Sequence, residues 1–291
     1  MQGRQGKELL ANLGDVKSWT SFGVYGVAAI LMNMAELNGR PVTPDALLTL
    51  ALTNYGHFTS MRVDNQRVRG LDLHMERLVR DCRTVMGAEL DPDRVRRYVR
   101  QAAGDLSGSF VVRVTIFDPA VNMGRPDKAN TPHVLVTVRP AADLPMPPLR
   151  VKSVRYERDV PAVKHAGLFG ALHARRTALL DGADDALFVG PEDLVSEGGT
   201  WNVGFIGEDG VVWPKADVLP GVTMALLQQS GHHLTAPVTL AEAQGMQAAF
   251  ATNTTIGVRA LSSIDDVPMA TEHPLLTQLR DNYLAIPGER L

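Results

Sequence analysis

A single cysteine, Cys82, is all that the chain contains. That excludes an internal disulfide framework and a cysteine-rich zinc site, and no metal is expected. Cys82 sits in Leu78-Val79-Arg80-Asp81-Cys82-Arg83 and reads as a small buried apolar residue, in keeping with a reducing cytoplasm. Long apolar runs are missing too. The best candidate covers residues 22–32, whereas a membrane-spanning helix needs about 20 residues. Lys7 and Lys17 precede that run as they would in a secretory signal. However, no small-residue cleavage site follows cleanly, and Asn33-Met34-Ala35-Glu36 turns polar at once. Residues 1–33 are expected to be an extension that contributes little to the fold, with Met34 as an alternative start. An excess of either charge is absent as well. The net charge of -3 argues against a nucleic-acid partner, which usually meets a basic face. There is no internal repeat and no low-complexity tract.

What is present is a globular chain. Its 291 residues suffice for two domains with cores, and 45% hydrophobic against 21% charged residues sets it apart from disordered sequences. Asn38-Gly39 is a tight-turn dipeptide that implies a hairpin over 36–42. Thr43-Pro44-Asp45 offers a cap and a first-turn proline for a helix over 45–53. Residues 57–63 alternate as a strand. Leu71, Met75, Leu78, Val79, Cys82, Val85 and Met86 repeat at helical spacing. A charged helix over 92–104 and strands over 109–117 and 133–138 follow. Residues 139–149 hold four prolines without periodicity and read as a linker. Beyond it, strands (151–156, 186–189, 201–206, 211–213, 248–252) alternate with helices (168–181, 223–230). The expected division is an extension over 1–33, an N-terminal α/β domain over 34–138, the linker over 139–149, and a second domain over 150–291.

Three separated segments bear on chemistry. Pro161-Ala162-Val163-Lys164-His165-Ala166-Gly167 places a lysine among apolar and small residues. Desolvation there would favour a neutral, nucleophilic amine, although for this segment alone a lysine stem lying along the surface is the favoured reading. In Val195-Ser196-Glu197-Gly198-Gly199-Thr200-Trp201-Asn202-Val203 an acid precedes small residues and an apolar strand. A glutamate beside a pyridine nitrogen would keep that nitrogen protonated, and a solvated turn glutamate is the plain alternative. Leu219-Pro220-Gly221-Val222-Thr223-Met224 opens a helix behind a glycine, a setting whose free N–H groups suit a phosphate or simply a capped helix.

In this order and spacing the segments resemble the class IV aminotransferases, a family that includes branched-chain and D-amino acid aminotransferases and aminodeoxychorismate lyase. Glu197 follows Lys164 by 33 residues and Asn202 follows Glu197 by five. Gly56-His57-Phe58-Thr59-Ser60-Met61-Arg62 resembles the family's G-x-F-x-x-x-R strand. His74-Met75-Glu76-Arg77-Leu78 resembles its H-x-x-R-L helix, and Phe250-Ala251-Thr252-Asn253-Thr254 its late phosphate-binding turn. The resemblance covers residues 36–270. It implies a two-domain α/β (α+β) fold like that of D-amino acid aminotransferase, with a small N-terminal domain, a larger C-terminal one, and pyridoxal 5′-phosphate in the cleft between them. It also implies a cytoplasmic homodimer acting on amino acids or amines and 2-oxo acids. Lys164 is then the Schiff-base lysine and proton shuttle, and Glu197 the partner of the pyridine nitrogen. Arg77, Gly221, Val222, Thr223, Asn253 and Thr254 surround the phosphate, with Asn202 also on the cofactor. Phe58, Arg125 and Phe169 are the candidate substrate contacts.

The chain departs from the branched-chain pattern in two places. The position five after Lys164 is Phe169, where that group has a tyrosine, and Thr59 stands where a glutamate is usual. Both features, together with Lys164-His165, are similar to aminodeoxychorismate lyase, so pyruvate elimination is the alternative activity. A binding protein without activity is the third reading, and the joint presence of Lys164, Glu197 and Arg77 argues against it. Outside these motifs, His232-His233 reads as a surface loop, Asp184-Asp185 as a turn, and His173, Arg175 and Arg176 as a solvated helix face or a carboxylate contact.

Overall fold

The computed structural model describes residues 35–291. The extension expected over 1–33 and the start at Met34 lie outside the described residues. Contacts divide the chain into two compact units. The first reaches Ala141 and takes back His165–Gly167 and Gly288–Leu291. The second comprises Ala142–Lys164 and Leu168–Pro287.

In the first unit the elements are β1 (Ala35–Leu37), β2 (Arg40–Pro41), α1 (Leu48–Thr53), β3 (Gly56–Asp64), β4 (Arg67–Val68), α2 (Leu71–Met86), α3 (Pro92–Ala103), β5 (Ser109–Phe117) and β6 (His133–Pro140). The sheet order is terminal strand Glu289–Arg290, β4, β3, β5, β6, β1, β2, and every pairing is antiparallel. The turn from β3 to β4 runs through Asn65 and Gln66, both at positive φ (50° and 64°), which matches the twist that a two-residue hairpin needs. On α2, Leu71, Met75, Leu78, Cys82 and Met86 share one face and are buried. They pack in one cluster with Met61, Val63, Val112, Val114 and Ile116 of the sheet. Each large side chain buried there contributes about 1.5–3 kcal/mol. Gly87, at φ 59°, ends the helix, and its N–H donates to Arg83 O at 3.0 Å. Burial pushes the Cys82 thiol up to about 11, so it behaves as an apolar core residue.

The second unit contains β7 (Leu149–Arg155), α4 (Phe169–Leu180), β8 (Asp185–Val189), β9 (Val195–Gly198), β10 (Asn202–Gly207), β11 (Gly210–Pro214), α5 (Val222–Gln228), β12 (His233–Ala236), α6 (Leu240–Gln244), β13 (Ala248–Asn253), β14 (Gly257–Ile264), β15 (Val267–Pro268) and α7 (Pro274–Ala285). Its sheet runs β12-β11-β10-β13-β14-β7-β8-β9, and β9 also pairs with β10. That last pairing closes a ring of six strands and covers the free edge of β9, so that β12 remains as the edge strand at the other end. Val151, Leu187, Val189, Val195, Val203, Phe205, Ala249, Ala251 and Leu261 form its core cluster. A separate small cluster joins α4 to β8 through Ala171, Ala174, Ala178, Ala186 and Phe188. Alanines at this spacing let the helix lie close on the strand.

Candidate active site

The second unit assembles Glu197, Asn202 and the 219–223 segment. Glu197 on β9 is opposite Asn202 on β10, and Asn202 is opposite Thr252 on β13. Directly opposed residues share a face, so the three form a row across adjacent strands. All three are buried. The Asn202 amide Nδ2 donates to Leu219 O at 2.8 Å. The Leu219 N–H donates to Glu197 Oε2 at a long 3.4 Å. One residue is thus held from both sides, and α5 begins three positions later. Gly221 caps that helix in extended geometry, φ −71° and ψ 138°, without a side-chain cap. Its φ suits any residue, but a Cβ there would overlap Asn202 Oδ1. Glycine is therefore required by close approach. The first N–H groups of α5, those of Val222 and Thr223, have no acceptor within the helix.

Burial is the main influence on Glu197, and it pushes the carboxyl up to about 7. Arg158, the Leu219 N–H and Lys164 pull the other way. Arg158 Nη1 lies 3.5 Å from Glu197 Oε1, too far and too poorly aligned for a hydrogen bond. Oε1 is accordingly a buried acceptor with no hydrogen-bond donor. Arg158 Nη2 donates to Val163 O at 3.0 Å, next to the half-buried Lys164. Sequence reasoning missed Arg158. It lies six residues before Lys164 in the polar run Arg155-Tyr156-Glu157-Arg158-Asp159, where nothing separates it from a solvated arginine.

The turn between β9 and β10 is built on a buried aspartate. Asp185 Oδ2 accepts from Trp201 Nε1 at 3.0 Å, and Oδ1 lies 3.0 Å from Arg175 Nε. The turn expected at Asp184-Asp185 before a strand ends at Asp184, and Asp185 is the first residue of β8. Arg175, whose side chain is 36% exposed, pairs with it there. Asp184 remains outside and pairs with Arg150 at 3.0 Å. The surface-loop expectation fails for His233. This residue belongs to β12, accepts from Trp213 Nε1 at 3.0 Å and stacks on that ring, because an indole N–H needs an acceptor when buried. In the late turn, Asn253 Oδ1 accepts from Thr255 N and Ile256 N at 2.8 and 3.0 Å, and Nδ2 donates to Thr200 O. Asn253 shapes the turn in which Thr254 lies. Phe169, the first residue of α4, is 82% exposed and stacks on His173.

In the first unit Arg77 is buried on α2. Its Nη2 donates to Thr59 Oγ1 and lies 3.3 Å from His74 Nδ1, while Nε has no partner. Thr59 Oγ1 and His74 Nδ1 are 2.7 Å apart. Desolvation lowers the Arg77 guanidinium to about 10, and Asp81 opposes this. The buried guanidinium therefore sits among a hydroxyl, an imidazole and the opposing charge of Asp81. Neighbouring His57 is fully buried, and desolvation lowers it to about 4. Phe58 is buried beneath Arg113, whose guanidinium carbon is 3.6 Å from the ring centroid. Arg125 lies in an exposed loop paired with Asp127 at 2.6 Å. Among the described residues no group of three or more His, Cys, Asp or Glu could hold a metal ion. No helix among them is long and apolar enough to cross a membrane.

Residues 56–264 match the family model described as amino-transferase class IV. No curated protein matches the sequence. Among solved structures, the chain is similar to a branched-chain amino acid aminotransferase of T.th. complexed with N-(5′-phosphopyridoxyl)-L-glutamate. Their identity is 20% and the TM-score 0.76, over 86% of this chain and 92% of that one. A branched-chain aminotransferase from Thermoproteus uzoniensis with norvaline gives 20% identity and 0.75, over 86% and 93%. A hypothetical aminotransferase from Mycobacterium tuberculosis in its PLP-bound form gives 18% and 0.71, over 84% and 92%. At these identities the likeness shows a shared two-domain α/β fold.

Proposed function

This chain belongs to the class IV aminotransferases, a family of pyridoxal 5′-phosphate enzymes, and on that premise we propose that it moves an amino group between an amino donor and a 2-oxo acid, with the cofactor held on Lys164. The observation that carries the reading is the Glu197 carboxylate. It is buried, flanked by Arg158 and Lys164, and keeps one oxygen without a donor. A protonated pyridine nitrogen fits that acceptor. The unpartnered Nε of buried Arg77 suits a phosphate in the same way.

The cofactor supplies an electron sink for the pair left on the amino carbon. The remaining work falls to side chains. The Lys164 amine would hold the cofactor covalently and would carry the proton to and from the reacting carbon. Glu197 keeps the nitrogen proton in place. The N–H groups of Val222 and Thr223 and the Thr254 hydroxyl would bind phosphate oxygens, Arg77 would take the same role by its motif, and Asn202 holds the 219–223 segment in register. A homodimer in the cytoplasm is part of the same proposal.

A lyase that eliminates pyruvate is the second reading, supported by Phe169 and Thr59 at the two departures from the branched-chain pattern. An absorbance scan of protein loaded with pyridoxal phosphate, repeated with a panel of L- and D-amino acids and amines, tests the proposal. Spectral shifts that require a 2-oxo acid for recovery support transamination, and pyruvate formed without an acceptor supports the lyase. A spectrum unmoved by every donor refutes both.

A further inference from the structure

One buried side chain beside the candidate site takes no part in the proposed chemistry itself. We propose that Arg158 is a positioning residue that keeps Glu197 ionised and, with the other arm of its guanidinium, steadies the chain at Lys164. The inference rests on the proposed function for its purpose, but its geometry stands independently. Nη1 is 3.5 Å from Glu197 Oε1 and the two side chains are 11% and 4% exposed. Nη2 donates to Val163 O at 3.0 Å. One arm of the planar fork is thus fixed on a backbone carbonyl while the other faces the carboxylate as a charge, a geometry that an ammonium on a flexible stem holds less well.

The need for such a residue follows from burial. A carboxyl taken out of water takes up a proton unless a cation opposes the desolvation. The groups that act on Glu197 are Arg158 and Lys164 from the β7–α4 loop, the Leu219 N–H from the segment before α5, and Tyr156 at the end of β7. Arg158 is the strongest of those that favour the carboxylate. Lys164 is not a steady substitute, because a Schiff base removes its ammonium form. A protonated Glu197 would offer a donor where a pyridinium N–H needs an acceptor. Arg158 thus sets the lower edge of the pH range in which the site works, without touching cofactor or substrate.

The test uses cofactor-free protein carrying ¹³C-carboxyl glutamate, with the Glu197 signal assigned by its loss in Glu197→Gln. In Arg158→Met the Glu197 titration midpoint should rise by about 1–3 pH units, as expected on removing an opposite charge at this range. Arg158→Gln, uncharged but able to reach Val163 O, should show the same rise, and Arg158→Lys should reverse most of it. A midpoint within about 0.3 pH units of wild type in either uncharged variant, with unchanged circular dichroism, would overturn the proposal. So would a midpoint in Arg158→Lys as high as in Arg158→Gln. If Arg158→Met does not fold, the Gln and Lys pair decides. A wild-type protein that fails to bind pyridoxal phosphate would sink the proposed function, yet the titration of cofactor-free protein would still judge Arg158.

Discussion

Replacing Glu197 by glutamine should make the cofactor-free protein more stable at neutral and alkaline pH, even though it harms the site. Desolvation raises the folded-state carboxyl from 4.5 to about 7, whereas the unfolded chain ionises near the ordinary value. Between those pH values the folded state binds the extra proton. Stability from this group is therefore full below about 4.5 and is lost as pH rises through 7. The gap corresponds, at 1.36 kcal/mol per decade, to about 3 kcal/mol of destabilisation by pH 8. His57 works in the opposite sense. Its folded value near 4, below 6.5, means that stability is gained as pH rises across that window. His57 is present in both proteins, so it drops out of their difference. Urea unfolding followed by tryptophan fluorescence, reported in this unit by Trp201 and Trp213, gives the curves at pH 5–9. Exchanging a hydroxyl for an amide adds a constant offset, so the slope is the quantity to read. The variant should gain on wild type progressively from pH 5 to 8. Parallel curves would refute the claim that Glu197 is held in a desolvated place, and with it the reason for a pyridinium there.

Lys164→Ala treated with borohydride in the presence of pyridoxal phosphate should retain no reduced cofactor on any lysine by peptide mass mapping, and a label elsewhere removes Lys164 from its role. Gly221→Ala forces a Cβ into Asn202 Oδ1, so it should lower stability by about 1–3 kcal/mol, the usual cost of overpacking, and weaken pyridoxal phosphate binding. Asn202→Gly in the same chain should relieve part of the stability loss, and additive losses in thermal unfolding would count against the clash. Phe169 lacks the hydroxyl that branched-chain relatives would direct at the cofactor's phenolic oxygen, a bond worth about 1.5–3 kcal/mol. Leucine, isoleucine and valine with 2-oxoglutarate should be poor substrates, and turnover in the range of about 1–10³ s⁻¹ on them would overturn that expectation.

Local signals account for the elements that can be read directly. The α2 face, the Asn38-Gly39 hairpin, and the long strands β3 and β5 carry their period in consecutive residues, and the structure forms them where that period predicts. Other elements are harder to read. β14, Gly-Val-Arg-Ala-Leu-Ser-Ser-Ile, alternates poorly because it is paired on both sides, parallel to β7 and antiparallel to β13. α7 opens with His273 and Pro274, a cap and a first-turn proline, yet the apolar residues that follow do not repeat clearly enough to mark it. β12 reads as loop because its polarity matches an edge, and its partner Trp213 lies 20 residues away.

The candidate site divides along the same line. Lys164, Glu197, Asn202 and Gly221 stand in segments whose order and spacing are visible in the chain, so a family pattern finds them. What makes those residues work is not local. Arg158 meets Glu197 across 39 residues of sequence, and Asp185 reaches Trp201 across 16. The Gly221 requirement comes from an asparagine on β10, 19 residues before it in the sequence. In each case the residue type is ordinary and only its burial and its partner give it meaning. A motif therefore marks the groups proposed to meet the chemistry, whereas the arginine that lies 3.5 Å from Glu197 belongs to no motif. Uncharged variants at Arg158 should thus raise the Glu197 titration midpoint in a protein whose family motifs are all intact.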